Sequence, residues 1–171
     1  MELSPDGDIY AILTWSGRVL FGNPMSAQPV RELDTRSTFD TIALSPSGRV
    51  LATVDGNGRI QLWDVATQRA LGFLAPRLAK VLGLEFSLDG GSLCAIDSSG
   101  TLSFWESGGW KETGSRKIDE KVWTDEHFVL KTLALSPDHK RFAVAHGLDA
   151  LLIDIHSGNE LAAFRGHRGD I

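Results

Sequence analysis

Apolar residues in this chain fall in short runs broken by Ser, Pro, Gly, Asp and Asn, and the arrangement of runs repeats. The clearest copy is Ile42 to Asp64, IALSPSGRVLATVDGNGRIQLWD. Aligning its Ser45 with Ser4, Ser87 and Ser136 gives steps of 41, 42 and 49 residues. Self-similarity at such a period marks stacked copies of one supersecondary unit. Each copy opens on Leu3, Leu44, Phe86 or Leu135, and eight residues later comes a small residue, Ala11, Ala52, Cys94 or Ala143. A small column suits strands that converge where little volume is free. The strand ending at Trp63 has counterparts ending at Gly22, Trp105 and Ile153, and Val30, Leu71 and Leu161 line up beyond it.

Four short apolar runs per unit, divided by turn residues, predict four-stranded antiparallel sheets rather than helices. In the second unit the predicted strands are Ile42 to Leu44, Val50 to Val54, Arg59 to Trp63 and Ala70 to Leu74. The first unit begins with most of its innermost strand missing. The third has Thr113 in the column of Val30, Leu71 and Leu161, and its longer step predicts an insertion over Ser107 to Phe128.

LSPDG at Leu3 to Gly7, LSPSG at Leu44 to Gly48, QLWD at Gln61 to Asp64 and the Gly166-His167 pair resemble the WD-repeat β-propeller family. The resemblance implies an all-β chain of four WD-like four-stranded antiparallel blades, forming a partial or small β-propeller, with repeats at about 1–34, 35–76, 77–125 and 126–165 and a further one starting at 166–171. The chain is expected to be one segment of a larger propeller. The buried polar network of that family is incomplete here. Its His column holds Thr35, Arg77, Glu126 and His167, and its Asp column holds Ser16, Asn57 and Ser99, so the blades are expected to rely on apolar packing.

Charge narrows the function. With 17 basic and 22 acidic residues the net charge is −5, without the basic footprint of a duplex-binding module, so nucleic acid is not an expected partner. No apolar run approaches the roughly 20 residues of a membrane helix, and MELSPDGDIY is unlike a leader peptide, so no membrane is expected and the location is read as cytoplasmic. A lone Cys94 provides no disulfide framework and, in the small column, reads as packing. Asp55-Gly56-Asn57-Gly58 reads as a hairpin turn rather than a calcium loop, and Arg168-Gly169-Asp170 as an ordinary loop. The five His residues are scattered over loops, and no metalloprotease, phosphate-loop or nucleophile-elbow motif occurs. No catalytic set, cofactor or metal is therefore expected.

What remains is binding. The resemblance implies docking on the rim of middle hairpins and inter-blade loops, which would present Arg77, Lys80, Asp97, Trp123, Glu126, His146 and His167. In the expected insertion, Trp110 and Trp123 are read either as interface anchors, since Trp is enriched at hot spots, or as rings folded back to cap the third blade. The expected function is a non-catalytic protein-protein interaction scaffold binding another protein or peptide, with self-association through open blade edges. The alternatives are a propeller enzyme or small-ligand sensor with polar groups converging on inner strands, or a segment without independent function.

Overall fold

The computed structural model describes residues 1–4, 7–14, 16–26, 31–34, 39–55, 57–74, 80–118, 133–136, 138, 140–146 and 149–165. Among them there is no helix, and every strand belongs to one of four four-stranded antiparallel sheets. Contacts divide the chain into two compact units, Met1–Arg77 and Leu78–Ile171. The first holds β1 (Glu2–Leu3), β2 (Tyr10–Leu13), β3 (Arg18–Gly22) and β4 (Arg31–Asp34) in one sheet, and β5 (Phe39–Leu44), β6 (Val50–Asp55), β7 (Ile60–Asp64) and β8 (Arg69–Leu74) in the next. The second holds β9 (Val81–Phe86), β10 (Ser92–Asp97), β11 (Thr101–Glu106) and β12 (Lys111–Lys117), then β13 (Leu133–Leu135), β14 (Arg141–His146), β15 (Asp149–Asp154) and β16 (Glu160–Phe164). In each sheet the strands lie in chain order.

The repeated serine is explained by its hydrogen bonds. The Ser4, Ser45, Ser87 and Ser136 Oγ atoms accept the N–H of the residue five positions on, Ile9, Val50, Ser92 and Arg141, at 2.8–3.0 Å. Each serine's own N–H donates to the carbonyl of that same residue at 2.8–2.9 Å. The side chain thus supplies an acceptor that a tight turn between inner strands would otherwise lack. At the other end, Thr14, Asp55 and Asp97 cap the middle hairpins. Thr14 Oγ1 accepts the Arg18 N–H, Asp55 Oδ1 those of Asn57 and Arg59, and Asp97 Oδ1 those of Ser99 and Thr101. The capping position lies two residues before the Ser16, Asn57 and Ser99 column in which the family's Asp was sought.

Cross-strand register shows the repeat in three dimensions. Leu51 faces Trp63, Leu93 faces Trp105, Phe142 faces Ile153 and Tyr10 faces Gly22. In the first sheet the aromatic has therefore moved one strand inward. A Cβ on Gly22 would collide with the Tyr10 ring, which occupies the room a Trp would fill from the neighbouring strand. Trp63 is buried, and its Nε1 donates to Thr53 Oγ1 at 3.0 Å. Ala95 replaces Thr53 in the third sheet, so that acceptor is absent beside Trp105.

Two expectations change. The column of Leu71, Thr113 and Leu161 is a β-bulge: Trp63 pairs with Ala70 and Leu62 with Gly72, Trp105 with Glu112 and Phe104 with Gly114, Ile153 with Glu160 and Leu152 with Ala162. The third sheet thus has a complete outer strand, and the residues expected as insertion begin with the Ser107–Trp110 turn and β12 itself. Trp110, with φ at 54°, packs edge-on against Phe86 with centroids 6.0 Å apart, which is the capping arrangement. As expected, the innermost strand of the first sheet is cut short: β1 has two residues where β5 and β9 have six, and it brings Glu2 opposite Ala11, the register that Glu85 holds opposite Cys94.

Each unit has its own core. In the first, Phe21, Leu33, Leu51 and Val65 pack together, and in the second, Leu102, Ile118, Phe142 and Ile153. The small column is fully buried at Ala11, Ala52 and Cys94 and half-buried at Ala143.

Candidate functional site

The rim expected to dock a partner is described in part. Lys80 is exposed at the foot of β9, and its carbonyl accepts the Ser98 N–H at 2.8 Å, tying it to the β10–β11 hairpin. Asp97 lies in the same place but is only 2% exposed, and its Oδ1 also accepts the Ser99 hydroxyl at 2.7 Å. Its carboxylate shapes the β10–β11 hairpin from within. His146 ends β14 opposite Asp149, at the register of Asp97 in its own sheet. Arg77, Trp123, Glu126 and His167 lie outside the described residues.

A second surface was not expected from the sequence. A cavity of about 580 Å³ lies between the sheet of β9–β12 and that of β13–β16. Its floor is Phe104, Leu135 and Ile155, all half-buried and packed on the core of the second unit. Arg116, Lys140 and His156, all exposed, stand around its mouth. The turn that carries Ile155 and His156 is held by Asp154, whose Oδ1 accepts the Ser157 N–H at 2.7 Å and hydroxyl at 2.8 Å. These bonds keep the Asp154 carboxyl below the ordinary carboxylate range despite some desolvation, with His156 adding to the effect. Gly158, with φ at 75°, closes the turn, and a Cβ there would lie 2.7 Å from the Lys117 carbonyl oxygen. A glycine is therefore needed for the turn to approach β12.

The groove is open because of Gly114. This residue pairs with Phe104 across β11 and β12, on the same face, and a Cβ built on it meets nothing within 4 Å. Its counterpart in the first unit is Arg31, which pairs with Phe21. Arg31 Nη1 reaches over the neighbouring sheet to within 3.4 Å of the Val65 carbonyl oxygen and 3.5 Å of that of Ala66, the positions that correspond to Ile155 and His156. Gln68 Nε2 adds a 2.9 Å bond to the Glu32 carbonyl oxygen. Phe21 is accordingly 1% exposed whereas Phe104 remains half-open.

Cys94, the chain's one thiol, is not set up as a nucleophile. Burial, reinforced by Glu85 across the strand pair, pushes the Cys94 thiol far above its ordinary range and keeps it protonated. Burial also raises the Glu2 carboxyl, partly offset by the N-terminus. Among the described residues no group of three His, Cys, Asp or Glu is placed to hold a metal ion, and no helix is long and apolar enough to cross a membrane.

No family model matches the chain. In an alignment of 102 residues that covers 54% of the chain, it is 24% identical to the Periodic tryptophan protein 2 homolog of Schizosaccharomyces pombe (strain 972 / ATCC 24843). The match spans 12% of that protein. This distant similarity and the four antiparallel sheets fit a WD-repeat array.

Proposed function

We propose that this chain is a non-catalytic protein-protein interaction scaffold of the WD-repeat kind, a cytoplasmic segment of a larger propeller that binds another protein or peptide. The observation that supports this reading best is where the polar side chains go. The repeated serines and the Thr14, Asp55 and Asp97 caps spend their acceptors on turns, while exposed side chains such as Lys80 stand beside rigidly held hairpins. A framework that fixes loops while its buried thiol stays protonated suits recognition better than chemistry. The docking rim would use Lys80 and His146 together with Arg77, Trp123, Glu126 and His167, with Asp97 fixing the hairpin beneath them.

A photo-crosslinking amino acid at Lys80 should yield a discrete adduct with another polypeptide in cells. The same group at Met25, which is 89% exposed in the β3–β4 connection, should yield none. Equal labelling from both positions would remove the rim from this reading, and adducts only with a second copy of the chain would replace the partner by self-association.

A further inference from the structure

We infer that the groove between the third and fourth sheets seats an extended acidic peptide segment with one apolar anchor side chain. The inference rests on the reading of the chain as an interaction module, but it places binding on a surface separate from the hairpin rim.

The floor sets the anchor. Phe104, Leu135 and Ile155 are apolar, half-open and backed by the close-packed residues Leu102, Phe142 and Ile153, so a side chain laid on them is desolvated against a surface that does not yield. A volume of about 580 Å³ is within the range of ligand sites, and it admits a short stretch of peptide.

The mouth sets the charge. Arg116 and Lys140 have no ion-pair partner among the described residues, and His156 stands next to them. The one carboxylate in the lining, Asp154, has an oxygen committed to Ser157. A cationic mouth on a chain of net charge −5 runs against the charge of the molecule as a whole, and complementarity favours Asp and Glu flanking the anchor. Thr113 to Arg116 belong to β12, an edge strand of its sheet, whose outward backbone groups point away from β11 and suit an extended chain.

Gly114 supplies a clean test, since a side chain there enters open space and its backbone is not left-handed. Short random peptides displayed on phage would be selected on the full chain. The expected peptides carry acidic residues around a single aliphatic or aromatic one. They should bind Gly114→Trp and Lys140→Glu at least about tenfold more weakly, as the loss of an anchor pocket or a close charge pair would give. Neither variant should melt below the parent, and binding should weaken as salt is raised. Selected peptides that are basic, or that bind both variants undiminished, would overturn the groove while leaving the hairpin rim and its crosslinking test intact. The absence of any selected peptide would also overturn the groove. Adducts formed at Lys80 despite saturating acidic peptide would show that the two surfaces act separately.

Discussion

The two units contain the same seam between consecutive sheets, and one side chain makes the seams differ. In the first, Arg31 crosses from β4 to the carbonyls of Val65 and Ala66 and closes over Phe21. In the second, Gly114 holds the same register, no side chain among the described residues makes the corresponding hydrogen bond across the seam, and Phe104, Leu135 and Ile155 line an open groove. Repetition therefore fixes the backbone frame but leaves the surfaces between frames free to diverge. A long cation seals a seam by laying its stem over apolar surface while its head finds carbonyl oxygens. A glycine at that position costs some strand stability and leaves a place for something else.

The largest test of the comparison concerns what the units share. Trp63→Ala and Trp105→Ala should each cost about 3–5 kcal/mol by denaturant unfolding. Trp63→Ala should cost the more per unit of area lost, because it leaves the fully buried Thr53 hydroxyl without its indole donor. Equal melting of Trp63→Ala and the parent would mean that the Trp is not a core residue of its sheet.

Gly158→Ala should come next, losing roughly 1–2 kcal/mol from the left-handed backbone alone and more from the close Lys117 carbonyl. Thermal melts would report it, and an unchanged melting temperature would show that the turn can withdraw from β12. Arg31→Gly should cost about 1 kcal/mol and open a groove over Phe21, seen as new binding of an apolar fluorescent dye. Gly114→Arg should do the reverse, gaining about 0.5–1 kcal/mol by replacing a strand glycine and reducing dye binding. If Arg31→Gly binds no more dye than the parent, other residues seal the first seam.

The smallest effect is set by pH. Hydrogen bonds from the Ser136 hydroxyl and the Lys140 N–H hold the Asp138 carboxyl below its ordinary range, with Arg141 adding to the effect. A folded-state value below the unfolded one means stability that is fully present above about pH 4 and is lost as the pH falls through the depressed value. Ser47 occupies the place of Asp138 in the second sheet. Below about pH 4, protection of the Lys140 amide against exchange should therefore fall while that of Arg49 does not, and parallel behaviour at both would remove Asp138 from the account.

The frame was legible in the sequence because its signals are local. The Ser column and the Trp63 strand each state a turn or a buried position within a few residues, and the all-β architecture of four four-stranded sheets follows from them. What was missed depends on pairing. Leu71, Thr113 and Leu161 look like ordinary strand residues until register shows that they have no opposite number. β12 was hidden because KETGSRK has no apolar alternation: an outer strand exposed on both faces needs none. Asp97 reads as a surface carboxylate, but its hairpin folds around it. The groove depends on a side chain that is not there, in the seam between two consecutive sheets, and its written sign is Gly114 where the first repeat has Arg31.

The bulge also bears on how such a chain tolerates changes in length. In β12, Glu112 pairs with Trp105 and Gly114 with Phe104, while Thr113 is the surplus residue between them. Deleting it would join two correctly registered halves into a regular ladder without turning any side chain to the wrong face. Elsewhere in a strand, loss of one residue inverts everything beyond it. The bulge in three of the outer strands is thus a joint where residues can be lost or regained while the sheet keeps its register.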